Sequence, residues 1–278
     1  MLTDVVELLT CPVCGAGLTD ENRVLRCLAG HCFDIARQGY VNLLSGDARA
    51  GTADTMEMVA ARAAFLGAGH FSSLAARLAE EVADGLPEAP RVLDAGAGTG
   101  HYLGAVLDRV PGATGIALDV SKFALRRAVR AHPRIGAVVW DLWRPLPVRT
   151  ASINVIMNVF APRNGAEFHR VLRPDGALVV VTPTDRHLGE LVGALGLLSV
   201  DERKPERMAA TLGEHFRPDR HREHEFTLCL SHAEVETLVG MGPSAGHIPG
   251  DELRRRLTGL PDPVKVTASF RISRFAPV

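Results

Sequence analysis

The stretch Arg91-Val92-Leu93-Asp94-Ala95-Gly96-Ala97-Gly98-Thr99-Gly100 decides the fold. Val92 and Leu93 read as a strand, and glycines at alternate positions carry the chain out of it. A turn from strand into helix needs glycine where a Cβ would block a tight backbone or the close approach of a ligand. The spacing says more than the glycines do. A dinucleotide fingerprint requires G-x-G-x-x-G, and His101 stands where its third glycine belongs. Asp94, two residues before the first glycine, is an acid inside an otherwise apolar run.

Outward from this turn, apolar runs alternate with helical segments. Strands are expected at Ala113–Asp119, Gly136–Trp140, Ile153–Val159 and Ala177–Thr182. Helices are expected from His101 to Val110, from Lys122 to Ala131 and through Phe168-His169-Arg170. That order predicts an α/β fold, an open and mostly parallel, doubly wound sheet with helices on both faces. Upstream, Met56, Val59, Ala60, Ala63 and Ala64 recur at helix spacing behind Asp54 as N-cap. A second helix runs from Ser72 to Gly85, and SGDARAGTAD (45–54) reads as a flexible connector. The tail offers strands at Phe226–Leu230 and Val264–Phe275 around a helix from His232 to Val239.

The 278 residues are 46% hydrophobic and 23% charged, as in a globular protein with a real core. No apolar run approaches the roughly 20 residues of a membrane helix, and MLTDVVELLTCPVC lacks the features of a secretory signal. The expected location is the cytoplasm, with no membrane partner. A formal net charge of −1 means that a nucleic-acid site must be a local patch. RPDRHR (217–222) and Arg254-Arg255-Arg256 are such patches, although solvated helix or loop faces read the same way.

Four of the five cysteines crowd into residues 11–32. Cys11-Pro12-Val13-Cys14 is a C-x2-C knuckle, followed by Cys27, His31 and Cys32. In a chain with no export signal such a cluster reads as metal ligands rather than disulfides. Cys11, Cys14 and Cys27 with either His31 or Cys32 make a four-ligand structural zinc set. Residues 1–34 are too short to hold a core unaided, so the metal supplies folding energy.

The D-x-G-x-G-x-G pattern resembles motif I of the S-adenosylmethionine-dependent methyltransferases, a Rossmann-like class I fold. The resemblance implies that Asp94, Gly96, Gly98, Thr99 and Gly100 form the cofactor turn. It also implies that Asp119, in GIALDVS, accepts hydrogen bonds from the ribose, and that Trp140-Asp141-Leu142 border the adenine.

A zinc ribbon ahead of such a domain is similar to the bacterial 23S rRNA (guanine-N1)-methyltransferases, the RlmA-type enzymes. The matching runs are CPVC, CLAGHCFDIARQGYVNLL (27–44), MVAARAAFLGAGHF (58–71), VLDAGAGTGHY (92–102), LDVSK (118–122) and TPTDRHLGEL (182–191). VFAPRNGAEFHRVLRPDG resembles the Gram-positive branch, whose members methylate a guanine in a hairpin near the macrolide site of the exit tunnel. Some of those members confer resistance to tylosin-type macrolides. The family implies zinc on Cys11, Cys14, Cys27 and His31, and cofactor contacts by Phe71, Thr99, Gly100 and His187. The division implied is a zinc-binding ribbon over 1–34, connector and helices over 35–85, and the methyltransferase domain over 86–278. The expected partner is a 23S rRNA hairpin, with monomer or homodimer left open.

Guanine N1 carries a proton on its pairing edge, so the base must be extruded and deprotonated. Asn158, Asp141, Asp185 and His187 fall near the end of the fourth strand, and the sequence assigns none of them as the catalytic base. Removing residues 1–34 is expected to abolish rRNA methylation and spare cofactor affinity. The rival readings are a small-molecule methyltransferase, which leaves the ribbon without a role, and an inactive zinc-ribbon RNA-binding protein, against which the intact glycine turn stands.

Overall fold

The computed structural model describes residues 1–44, 54–197 and 211–278. Three short strands come first, β1 (Leu18–Glu21), β2 (Val24–Cys27) and β3 (Cys32–Asp34), then β4 (Tyr40–Asn42). Helices α1 (Met56–Gly67) and α2 (Ser72–Ala83) lead into β5 (Arg91–Ala95), α3 (His101–Arg109), β6 (Thr114–Asp119), α4 (Lys122–Ala131) and β7 (Ile135–Val139). Next come β8 (Ile153–Val159), α5 (Gly165–Val171), β9 (Leu172–Pro183) and α6 (Gly189–Leu195). The tail supplies β10 (Phe216–Leu230), α7 (His232–Gly240), α8 (Gly250–Leu257) and β11 (Val264–Pro277).

Strands β1–β3 form a small antiparallel ribbon, and the other eight make one sheet in the order β10-β11-β9-β8-β5-β6-β7-β4. Pairing is parallel from β4 through β9 and antiparallel at β9–β11 and β11–β10. The chain walks outward from β5 to β6 and β7, then jumps to β8 on the opposite side of β5. The topological switch therefore falls beside β5, and ligands of open α/β sheets bind at the carboxyl ends of the strands there. The glycine turn occupies that place.

One sheet face is covered by α1–α4 and α7, around Phe65, Leu78, Leu103, Leu125 and Met157. The other face differs. Residues 140–152 contain no helix, and the first residues of the chain fill the gap. Leu2, Val5, Val6, Leu8 and Leu9 are buried against Leu93, Ile116, Val138 and Ile156. Leu9 bridges Val148, Thr10 N–H donates to Pro147 O at 3.0 Å, and Arg149 N–H donates to Leu8 O at 2.9 Å. At Gly136 a Cβ would come 2.2 Å from Val5 Cγ2, so the glycine makes room for this leader. Each buried leucine or valine contributes about 1.5–3 kcal/mol. Deleting residues 1–34 would therefore open the core of the sheet as well as remove the ribbon. The deletion does not isolate the ribbon's role, contrary to the expectation from sequence. The sheet likewise begins before residue 86, because β4 pairs with β7 over Tyr40–Asn42.

Two smaller expectations also change. Thr55, not Asp54, caps α1, accepting from Met58 N–H at 3.2 Å, because Asp54 is ion-paired to Arg62. The charged run 217–222 lies on a strand rather than on a helix or loop, since β10 starts at Phe216. It is an edge strand, and exposed charge there discourages pairing with another chain. Apart from Asp54, the connector at 45–54 lies outside the described residues.

Candidate functional site

Gly96, Gly98 and Gly100 have φ of +88°, +52° and +77°, a region in which a Cβ clashes with its own backbone. Neighbours close two of the three positions. A Cβ on Gly96 would lie 2.2 Å from Ala161 Cβ, and one on Gly100 would lie 2.9 Å from Ala128 Cα. At Gly98, among the described residues, it would meet only Arg62, whose Nη1 is 3.6 Å from the Cβ position. The turn is thus packed from below and open beneath a single guanidinium. Helix α3 starts at His101, so its first backbone N–H groups lack partners within the helix and suit an anion.

Two carboxylates frame the turn. Asp119, at the end of β6, accepts from Gly98 N–H and Ser121 N–H, both at 2.8 Å. Burial pushes its carboxyl upward against those two bonds. Asp94, the fourth residue of β5, is buried, and its Oδ1 has no hydrogen-bond partner among the described residues. Burial, and secondarily the charge of Asp119, push it up to about 8. An orphaned buried acid beside an open glycine cradle fits a ligand that brings its own donors or positive charge.

Arg62 and Asp54 complete the cradle from α1. They are ion-paired across the mouth of the turn, Arg62 also donates to Met241 O at 2.9 Å, and Ser121 Oγ donates to Asp54 O at 3.1 Å. Sequence reading passed over Arg62. Its one visible signal is that it is the lone cation in the alanine-rich helix MEMVAARAAFLG.

Phe71 and His187 come together, with ring centroids 6.3 Å apart. Both meet Phe270, Phe71 edge-on at 5.2 Å and His187 tilted at 4.6 Å. His187 Nδ1 also accepts from Ser269 N–H at 3.3 Å. The cluster extends to Phe160, 5.5 Å from Phe270 and 6.3 Å from Tyr102. Phe160 directly follows β8, has φ +55° and is 43% exposed. A bulky residue held there costs on the order of 1–3 kcal/mol, and such strain clusters at functional sites. Sequence could have found this aromatic by its position at the end of the strand beside the switch.

The candidates for a base separate. Asn158 is fully buried, and its Nδ2 donates to Ala95 O at 2.9 Å and Pro162 O at 2.8 Å, tying β5 to the turn after β8. Asp141 accepts from Trp143 N–H at 3.0 Å, while Asp185 is exposed. Trp140 and Leu142 are buried, and Leu142 Cδ1 lies 3.8 Å from the Cβ position of Gly96.

In the ribbon, the ligand atoms of Cys11, Cys14, Cys27 and His31 all lie within 4.8 Å of one another. Cys14 and Cys27 sulfurs are 3.7 Å apart, and His31 Nδ1 is 3.6 Å from Cys11 Sγ and 3.4 Å from Cys27 Sγ. Tetrahedral zinc with bonds of about 2.3 Å sets its sulfurs roughly 3.8 Å apart. Cys32 stands aside, its thiol donating to Gly30 O at 3.2 Å. Burial pushes Cys27 up, but hydrogen bonds from His31, Cys14 and Ala29 outweigh it and bring the thiol down to about 6.

The two basic clusters singled out by sequence are largely neutralised. Arg254, Arg255 and Arg256 pair with Asp251, Glu252 and Glu236, and Arg220 pairs with Glu81 and Asp84.

Comparison with known proteins agrees with this geometry. Residues 9–48 match the family model for the RlmA N-terminal zinc ribbon, and residues 92–176 match that of a methyltransferase domain. The chain is 47% identical to the 23S rRNA (guanine(748)-N(1))-methyltransferase of Streptomyces fradiae, covering 100% of both chains. It is 53% identical, again over 100% of both, to a Micromonospora griseorubida protein provisionally named a 23S rRNA (guanine-N(1)-)-methyltransferase. The solved YcgJ protein of Bacillus subtilis shares the fold, with a TM-score of 0.52 at 16% identity over 73% of this chain and 98% of that one.

Proposed function

The chain belongs to the family of 23S rRNA (guanine-N1)-methyltransferases, and from that premise we propose that it methylates N1 of a guanine in a 23S rRNA hairpin. The methyl donor is S-adenosylmethionine, and the hairpin is the one beside the macrolide-binding exit tunnel. Resistance to tylosin-type macrolides is part of this reading, because a methyl group on that guanine alters the wall against which such drugs sit. The carrying observation is the glycine cradle, open under Arg62, with Asp94 orphaned at its base.

Each residue then has a role. Asp119 exchanges backbone N–H donors for the ribose hydroxyls. Gly98, Thr99 and the start of α3 would hold the carboxylate of the cofactor through their backbone N–H groups, and Arg62 would supply the matching positive charge. Asp94, orphaned at the base of the cradle, would be held ionised by the positive charge of the bound cofactor. Leu142 borders the adenine, while Phe71 and His187 close the opposite wall through Phe270. Bound there, the cofactor supplies an electrophilic methyl that moves by in-line displacement, so positioning accounts for much of the rate. Phe160, held at the end of β8, is the surface on which the extruded guanine stacks. Cys11, Cys14, Cys27 and His31 hold a structural zinc, since all four positions are filled by protein.

The test is mass mapping of 23S rRNA from cells with and without the protein. One added methyl on a single hairpin guanine, at the Watson–Crick edge, is the expected result. Unmodified rRNA alongside methylation of a small molecule by the pure protein would replace this reading with the small-molecule one.

A further inference from the structure

Helix α4, KFALRRAVRA, carries four cations and no acid. Lys122, Arg127 and Arg130 are exposed, and Arg126 is half-buried. None of the four is ion-paired to a carboxylate among the described residues, unlike Arg254, Arg255 and Arg256 of α8 and Arg220 and Arg222 of β10. At 100° per residue, Lys122, Phe123, Arg126, Arg127 and Arg130 fall within an arc of roughly 140°, along about 12 Å of helix. Phe123 lies between two cations, with Lys122 Nζ at 5.5 Å and Arg126 Cζ at 5.7 Å from its ring centroid.

This arrangement costs the helix stability. Lys122–Arg126 and Arg126–Arg130 are like-charge pairs at i, i+4, each destabilising by roughly 0.2–0.5 kcal/mol. Lys122 also places a cation on the positive end of the helix dipole. Fold stability therefore does not account for the charge, whereas a polyanion does. The position suits one. Ser121, which caps α4, binds Asp119 of the cradle, and the helix packs against α1 and against β4, the strand that follows the ribbon.

We propose that this face of α4 holds the phosphate backbone of the substrate RNA, spanning the surface between the cofactor cradle and the ribbon side of the sheet. The inference rests on the rRNA reading above and adds where the RNA is gripped. Phosphate contacts of this kind set register and affinity rather than sequence choice.

The test uses the full-length protein with a transcript of the 23S hairpin, measuring the dissociation constant across a series of salt concentrations. Replacing Lys122, Arg127 and Arg130 together by Gln is expected to weaken RNA binding at least tenfold. It should also flatten the plot of log affinity against log salt by roughly 2, at about 0.7 for each phosphate no longer neutralised. Calorimetry with S-adenosylhomocysteine should return the wild-type affinity, and the Arg254/Arg255/Arg256→Gln variant should keep the wild-type slope. If the triple variant loses S-adenosylhomocysteine binding as well, Arg127→Gln alone decides, with an expected flattening of about 0.7. An unchanged slope in these variants overturns the proposal, including where the wild type binds anionic vesicles through α4. Wild-type protein that binds S-adenosylhomocysteine but not the hairpin would instead sink the rRNA reading, and this proposal with it.

Discussion

Arg62→Met tests the cradle most directly. The Arg62 side chain is 27% exposed, and its guanidinium is held by Asp54 and Met241 O over the open side of Gly98. A hydrogen bond to a charged group contributes about 1.5–3 kcal/mol net, or roughly 10- to 150-fold in affinity. Release from Asp54 offsets part of that gain, so the lower half of the range is expected. Methionine keeps the length and apolar stem that pack in α1. Two ligands separate binding from folding: S-adenosylhomocysteine has the amino-acid carboxylate, and 5′-methylthioadenosine lacks it. Calorimetry should show the first weakened tenfold or more in Arg62→Met and the second changed by less than twofold. Asp54→Asn, which frees the arginine, should bind S-adenosylhomocysteine at least as tightly as wild type. Equal loss for both ligands would assign Arg62 a structural role only, and no loss for either would remove it from the site.

Other outcomes follow from named contacts. In the cofactor-free fold Asp94 titrates near 8 but in the unfolded chain near 3.9, so between those values the native state binds more protons. Stability then falls as pH rises across that window; Asp94→Asn should flatten the fall measured by thermal unfolding and be the more stable form at pH 8, while losing cofactor affinity. Gly100→Ala combines left-handed strain with a 2.9 Å approach to Ala128 Cα, and it should both lower the melting temperature and abolish S-adenosylhomocysteine binding. Pure protein should contain one zinc per chain by elemental analysis. Cys14→Ala should reduce that content, and chelation should destabilise the ribbon because metal binding supplies its folding energy.

Much of the sheet was legible because a buried parallel strand is a short apolar run between turn signals. The fourth strand of the alternation, Ile153–Val159, lies where the sequence places it. Helix α4 also keeps its expected limits. What escaped was long-range. The first ten residues of β10 were hidden because an edge strand carries exposed charge on a pattern that reads as loop. Asp54 looked like a cap until its ion pair with Arg62 was visible. Phe160 gave no warning of a left-handed backbone, since nothing local demands one. The glycine turn and the ribbon ligands were readable for the opposite reason, as each sits within a few residues of its partners or follows a fixed spacing.

The apolar leader ties the order of synthesis to the order of assembly. Leu2–Leu9 leave the ribosome well before the groups that receive them, Gly136, Pro147 and Val148, which are translated more than a hundred residues later. Near-neighbour contacts close before distant ones, so the metal knuckles can be complete while the leader beside them still has nowhere to go. Until β7 and β8 arrive, five greasy side chains stay in water, a period in which nascent molecules stick to one another. The same delay makes docking of the leader a late clasp that fixes the ribbon against the finished sheet.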